Sequence, residues 1–267
     1  MHISSLLHYP VKSMRGIALS EASFDARGIV HDREFLVVDA DGVFITQRGH
    51  ARMALFGAEV AGVTLTLRGP GRASLAIPVI REGSRRPVQI WRDTVKAVDQ
   101  GDAAAAWLSA GLEMPVRLVR MAGDFARTLD PVYAKNPTDQ TGFADGYPAL
   151  VVSEASLDAL NERLIARGSE PLPMNRFRPN IVVGGAAPFA EDGWKRIRVG
   201  SMTFDLVKPC ARCEVTTTDQ DTAEKGLEPL ATLATFRKVN GKVMFGMNAI
   251  HSGPGVVRVG DIVEVLA

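Results

Sequence analysis

Lys208-Pro209-Cys210-Ala211-Arg212-Cys213-Glu214-Val215-Thr216-Thr217 holds both cysteines of a 267-residue chain. The β-branched run Val215, Thr216, Thr217 and Thr218 predicts a strand directly after Cys213. A redox dithiol belongs after a strand and at a helix start, a different context. Zinc needs two more ligands, and the five histidines, His2, His8, His31, His50 and His251, lack an H-x3-5-H spacing. Half of a zinc site, a redox pair and two buried thiols remain as bland readings. A soft metal that takes one protein thiolate, with a cofactor supplying its other ligands, also fits. Arg212 and Lys208 put positive charge beside such a thiolate.

Outward from this run, the C-terminal third contains an echo. Ile197-Arg198-Val199-Gly200 resembles Val257-Arg258-Val259-Gly260, and two strand-turn-strand units would suit a second small barrel. Between them Pro229 opens a helix with Leu230, Leu233 and Phe236 on one side, and Asp219 and Asp221 cap a turn. Upstream, Leu150-Val151-Val152 reads as a buried strand. Ser153 caps a helix carrying Leu157, Leu160 and Leu164 on one face, and Gly168 ends it. Asn180-Ile181-Val182-Val183 is a strand that stops at Gly184-Gly185.

The first hundred residues are β-rich. Phe35-Leu36-Val37-Val38 and Val43-Phe44-Ile45-Thr46 flank Asp41-Gly42, a hairpin signal. Val63–Leu67, Leu75–Ile80 and Val88–Trp91 follow, and short strands so closely spaced suggest a barrel or sandwich. A helix is predicted from an Asp102 cap to a Gly111 terminator, then a strand over Val116–Val119. Residues Ala122 to Gly146, broken by Pro131, Pro137 and Gly142, read as a long functional loop. The fold class is mixed, β-rich α+β, with one unit over residues 1–120 and a second over 121–267.

Lysine plus arginine (31) nearly balances aspartate plus glutamate (30), so no global charge points to nucleic acid. No stretch reaches the roughly 18 apolar residues of a spanning helix. The start, Met1–Pro10, lacks the basic and apolar regions of a signal peptide. A soluble, cytoplasmic protein in a reducing compartment is expected, with no membrane partner. Gly253-Pro254-Gly255 and Val183-Gly184-Gly185 read as turns, because neither a dinucleotide fingerprint nor a P-loop is present. A serine hydrolase lacks its nucleophile elbow.

Cations stand at the junctions of apolar runs: Lys12-Ser13, Asp32-Arg33 and Arg176-Phe177-Arg178-Pro179-Asn180. Taken singly, each reads as a solvated strand end or an ion-pair partner. Brought together, arginine forks with a lysine and a serine would suit phosphate oxygens.

Read together, these segments resemble a known family. Tyr9-Pro10-Val11-Lys12-Ser13 and Asp32-Arg33-Glu34-Phe35-Leu36-Val37 look like the N-terminal β-barrel domain of MOSC proteins. Ser153–Leu157, Asn175–Val182, Cys210–Cys213 and Val259-Gly260-Asp261 resemble the MOSC domain, a β-barrel with flanking helices. The resemblance covers essentially the whole chain, and implies kinship with amidoxime-reducing and hydroxylaminopurine-detoxifying proteins. It implies a molybdenum cofactor held through Cys213, the second cysteine of the pair, as metal ligand. It implies that Lys12, Ser13, Arg33, Arg178 and Arg212 hold the pterin and its phosphate, with Asn180 and Asn248 close by. Gly146 and Tyr147 stand where animal relatives carry two small hydroxyl residues, a departure that puts contacts from that loop in doubt. Asp145 matches an acidic residue near the metal, a proton relay, while Cys210 matches the non-ligand cysteine, a packed thiol behind the site.

The reaction implied is two-electron reduction of small N-hydroxylated compounds. Some bacterial relatives add a C-terminal ferredoxin domain. This sequence stops at Ala267 and two cysteines cannot hold an iron–sulfur cluster, so electrons are expected from a separate redox protein. Two other readings of the same resemblance are a persulfide-bearing sulfur carrier and a non-catalytic cofactor-binding module.

Overall fold

Alternating burial along short strands builds a nine-stranded sheet that draws on both ends of the chain. In the computed structural model, which describes residues 1–267, its order is Val263–Val265, Arg196–Val199, Met202–Ala211, Lys242–His251, Ala149–Ser153, Ile181–Gly184, His2–His8 and Ile17–Leu19. Lys238–Val239 pairs beside Lys242–His251. Arg196–Val199 shows why such segments become strands: Ile197 and Val199 are buried while Arg196 and Arg198 face water, a period of two. Ala149–Ser153 and Ile181–Gly184 pair in parallel, and the helix Glu154–Ala166 makes the crossover that a parallel pair needs. Ser153 caps that helix, accepting from Ser156 N, and Gly168 follows its end with φ +78°.

The N-terminal half adds a four-stranded sheet, Phe35–Val38, Arg117–Met121, Asp93–Asp99 and Arg85–Ile90, and a three-stranded one, Gly57–Ala61, Thr64–Arg68 and Leu75–Pro78. Phe35, Val37 and Leu118 from the first meet Ala58, Leu65 and Leu67 from the second in one core, closed by Leu108 of the helix Asp102–Leu112. A separate core joins Ile3, Leu6 and Phe24 to Val151, Phe204 and Val263. Glu21–Asp25 also pairs with Gly255–Arg258. A cut at residue 120 thus separates most of two cores along the chain, but the strands His2–His8 and Glu21–Asp25 pack with the C-terminal core, while Val11 and Met14 between them belong to the N-terminal one. The strand His2–His8, which was not expected from the sequence, pairs with Ile181–Gly184.

Several local expectations change. Val215–Thr218 is no strand: Glu214–Thr217 is a 3-10 turn at the end of the strand Met202–Ala211. Thr216 Oγ1 donates to Cys213 O at 2.9 Å and Thr217 Oγ1 to Glu214 O at 2.8 Å, a local bonding mode that competes with a ladder. Cys210 therefore lies within the end of a strand, and Cys213 follows it and leads into a short helical turn. Gly101, not Asp102, is the cap of the 102–112 helix, and Glu113 ends it in the left-handed region. Gly111 lies inside, where a Cβ would stand 2.6 Å from Phe56 Cε1, so packing selects glycine there.

The turn at Asp41-Gly42 forms, with Asp39 Oδ1 accepting from Asp41 N and Val43 N, but Val43 and Phe44 make only isolated bridges. The helix after Pro229 is four residues long, Leu230–Leu233. The echoed segments do not form two equivalent units, since Arg196–Val199 pairs with Val263–Val265 whereas Gly255–Arg258 pairs with Glu21–Asp25. Similar apolar alternation served two different sheets. No helix is long and apolar enough to cross a membrane.

Candidate functional site

Between the halves lies an open cleft of about 830 Å³. The residues that the family resemblance marks line it: Cys213, Arg212 and Asn248 on one wall, Arg178 and Asn180 beside them, Lys12, Ser13 and Arg33 across, and Asp145, Gly146 and Tyr147 from the loop, whereas Lys208, Asp32 and Arg176 do not. The strand His2–His8 explains part of the convergence. It leaves the large sheet at Tyr9, and Lys12 N then donates to Phe35 O at 3.0 Å, which sets Lys12 and Ser13 at the seam.

The cysteines ride the end of the strand Met202–Ala211, whose register slips against Lys242–His251 between Leu206 and Lys208 and again between Pro209 and Ala211. Gly246 supports this distortion: its φ is +77°, and a Cβ there would meet Val152 Cγ2 at 2.7 Å. Beyond the strand, Cys213 O accepts from Thr216 N at 3.1 Å as well as from Thr216 Oγ1, so its backbone is fixed. Both cysteines are free and half-buried. Cys210 packs against the cluster of Leu150, Phe177 and Phe245, and its Sγ accepts from Arg212 Nη1 at 3.0 Å. Cys213 Sγ accepts from Arg48 Nη2 at 3.3 Å.

Asp145 faces the sulfur end. Lys12 Nζ pairs with its Oδ1 and also donates to Phe143 O at 2.8 Å. Burial alone would raise the Asp145 pKa, but Lys12, Arg48 and Arg33 outweigh it and hold the carboxyl well below the usual range. It is an anion at neutral pH. Burial lowers the pKa of Lys12, against the pull of Asp145. Burial raises the Tyr147 hydroxyl, and its ring meets Tyr133 edge-on at 6.2 Å. A Cβ on Gly146 would touch nothing within 4 Å, so this loop position is open space.

The other end is cationic and built around Tyr9. The guanidinium carbons of Arg33 and Arg178 lie 4.1 and 4.2 Å from its ring centroid, close enough for cation–π attraction. Tyr9 Oη donates to Pro179 O at 3.0 Å, and burial pushes its pKa up to about 12, so the ring stays neutral. Arg33 Nη1 donates to Asp32 Oδ2 at 2.5 Å and to Asn180 Oδ1 at 3.1 Å, and Nη2 to Arg178 O at 3.3 Å. Asn180 spends its amide on the frame, accepting from Leu150 N and donating to Leu7 O, each at 3.2 Å. Asn248 Nδ2 donates to Lys208 O at 3.2 Å.

Burial brings the pKa of Arg178 down to about 10, which leaves it charged at neutral pH. Ser13, Arg33 and Arg178 all hold φ between +46° and +65°. Non-glycine residues in this region cost roughly 1–2 kcal/mol each, strain that gathers at binding sites.

Two residues that build the site, Arg48 in the cleft and Arg127 behind it, carried no sequence signal. Arg127 does not line the cavity but holds its loop, with Nη1 donating to Ala144 O at 2.6 Å and Nη2 to Asp145 O at 3.2 Å. Ion-pair and backbone contacts of this kind depend on which loops meet, and no spacing rule encodes that.

Arg178 Nη2 and Arg212 Nε are buried without a hydrogen-bond partner. A buried donor left unpaired costs about 1–3 kcal/mol, so this end suits an anionic ligand. Guanidinium groups with partnerless donors and a half-buried thiol on one cleft fit a group that carries both an anion and a metal. Residues Cys213, Arg178, Arg212, Lys12 and Ser13 therefore fit a molybdenum cofactor by their donor chemistry.

Residues 1–115 match the MOSC N-terminal beta barrel domain and residues 138–264 the MOSC domain. Mitochondrial amidoxime-reducing component 1 of Xenopus laevis is 34% identical over 97% of this chain and 80% of its own length. The human protein of that name is 33% identical over 99% of this chain and 82% of its own length. A molybdenum cofactor sulfurase of Oryza sativa subsp. japonica is 30% identical over 92% of this chain, which spans 32% of that longer protein. The cleft, lined by both cysteines, thus sits at the seam of two recognised domains, and the chain belongs to the family of MOSC proteins that pair a MOSC N-terminal β-barrel with a MOSC domain.

Proposed function

We propose that this chain is a molybdenum-cofactor-dependent reductase of small N-hydroxylated compounds: hydroxylamines, amidoximes and N-hydroxylated bases. One observation carries the reading: Cys213 lines one cleft together with Arg178 and Arg212, two guanidinium groups that each keep a buried donor without a protein partner. The names of the amidoxime-reducing relatives support the substrate class, and the sulfurase relative supports the cofactor. Two electrons and two protons convert an N–OH group to N–H and release water, so the protein needs a redox centre, a proton path and room for substrate. When bound, the cofactor supplies two-electron chemistry and an affinity for oxygen.

The chain's own residues do the rest. Cys213 holds the metal. Arg178, Arg212 and Lys12 neutralise the pterin phosphate, Ser13 offers it a hydroxyl, and Arg33, Asn180 and Asn248 fix the frame around it. Asp145, an anion kept near Cys213 by Lys12 and Arg48, orients a donor hydrogen and relays a proton from solvent to the departing oxygen, which leaves as water. Gly146 leaves space for substrate at the loop, and Tyr147 lines it. A separate redox protein delivers the electrons. We take the compartment to be a reducing one, the cytoplasm, as two free thiols suggest.

Elemental analysis and turnover test this together. Freshly purified protein should carry molybdenum in near-stoichiometric amount and, with a competent electron donor, reduce hydroxylamines or amidoximes. Cys213→Ala should lose both while keeping its melting temperature. Normal turnover in that variant would overturn the assignment. A persulfide on Cys213 without molybdenum would select the sulfur carrier, and bound cofactor without turnover the binding module.

A further inference from the structure

Arg48 belongs to none of the motifs legible in sequence, yet its guanidinium reaches the sulfur. Nη2 donates to Cys213 Sγ at 3.3 Å and stands 3.8 Å from Asp145 Oδ2. The same guanidinium carbon lies 4.5 Å from the centroid of the Trp91 ring, which supports it from the N-terminal half. The backbone is held as well. Lys225 Nζ donates to Arg48 O, and the neighbouring Gln47 exchanges amide hydrogen bonds with Gln220 at 3.1 and 3.0 Å. Only 26% of the Arg48 side chain is exposed. Asp145 already has Lys12 as its close partner, so neutralising that carboxylate does not require Arg48. What Arg48 alone does is touch the sulfur.

We propose that Arg48 is a positioning residue that sets the electron donation of the Cys213 sulfur to its bound metal, and so raises the metal's reduction potential; the inference rests on Cys213 being the metal ligand. A hydrogen bond to a ligating sulfur draws electron density from it, and a fixed positive charge nearby favours the more reduced metal. The N-terminal half thereby supplies the electrostatic control of a metal held by the C-terminal half. It does so through the fork of a guanidinium, whose planar geometry an ammonium does not reproduce.

The test compares wild type, Arg48→Lys and Arg48→Met as full chains loaded with cofactor. It reads molybdenum per protein, melting temperature, the midpoint potential from a redox titration followed by electron paramagnetic resonance, and kcat and KM separately. Arg48→Met should shift the midpoint to lower potential and cut kcat ~10-fold with KM little changed. Arg48→Lys, which keeps the charge and loses the fork, should fall between. A wild-type potential in molybdenum-loaded Arg48→Met overturns the inference. Should Arg48→Met lose its metal or its fold, Arg48→Lys decides: a potential below that of wild type supports the inference and an unchanged one overturns it. Wild type without molybdenum would instead remove the Cys213 reading itself, and this inference with it.

Discussion

Arg33 and Arg178 lie at nearly equal distances from the Tyr9 ring, but they stand on opposite walls of the cleft and are used differently. Arg33, from the N-terminal half, spends its donors on the protein: Asp32, Asn180 and the Arg178 carbonyl. Arg178, from the C-terminal half, keeps a buried Nη2 without any partner. The contrast separates frame from ligand site. A guanidinium with satisfied donors holds two walls together, and one with a spare donor waits for an acceptor.

The largest effect should come from breaking the frame. Arg33→Ala leaves Asp32, a buried carboxylate, without its ion-pair partner, and loss of one member of such a pair costs about 3 kcal/mol or more. Urea unfolding should show that loss, with molybdenum content falling alongside. Arg178→Ala should behave in the reverse way. Its molybdenum content after gel filtration should drop roughly 10-fold, as expected for a lost charge-assisted contact, while the unfolding midpoint stays near wild type. Equal destabilisation of the two variants would erase the distinction between them.

The same contrast explains what the sequence made legible. Residues on the C-terminal wall sit at the ends of apolar runs: Asn180 precedes Ile181–Gly184, and the cysteines close Met202–Ala211. Periodicity marks such ends, so those positions could be read. Arg48 lies on a turn between an isolated bridge and a short 3-10 segment, and no period points to it. Backbone chemistry also misled in predictable ways. The threonines after Cys213 have the composition of a strand, yet their hydroxyls bond back to carbonyls three residues earlier. Gly111 has the look of a helix terminator, and is there because Phe56 leaves no room for a side chain. The strand His2–His8 was not read from sequence, because its place beside Ile181–Gly184 depends on contacts more than 170 residues apart, as in Leu6 with Ile181.

Acid should reveal a second difference between cleft and frame. Asp99, in the N-terminal half, accepts from Arg117 Nε at 2.5 Å and pairs with Arg86 at 2.9 Å. Burial would raise its pKa, and these arginines together with the Gly101 N–H outweigh that and lower it. A depressed carboxyl adds stability above its unfolded pKa, near 4, and loses it as pH falls through the lower folded value. The melting temperature of wild type should therefore decline between pH 5 and pH 2 more steeply than that of Asp99→Asn. Asp145 is depressed too, but 63% of its side chain is exposed, so Asp145→Asn should leave that decline almost unchanged. A flat profile in wild type would show that the Asp99 cluster does not govern acid stability.

The smallest effect should come from the other thiol. Cys210 and Cys213 share one motif and one cleft, but their sulfurs have different surroundings. Cys210 leans on Leu150, Phe177 and Phe245, and receives Arg212 Nη1; Cys213 lies beyond the strand end and receives Arg48 from the opposite half. Cys210→Ala removes one partly buried sulfur from an apolar wall, a loss of about 1 kcal/mol, and leaves Arg212 its bond to Phe177 O at 2.5 Å. Molybdenum content and turnover should stay within about twofold of wild type, because the released Arg212 Nη1 faces an open cleft and can bond water there. Complete loss of either in Cys210→Ala, with the fold intact, would mean that the metal is gripped by both sulfurs or by the first, and that burial against phenylalanine rings is no guide to which thiol of the pair is the ligand.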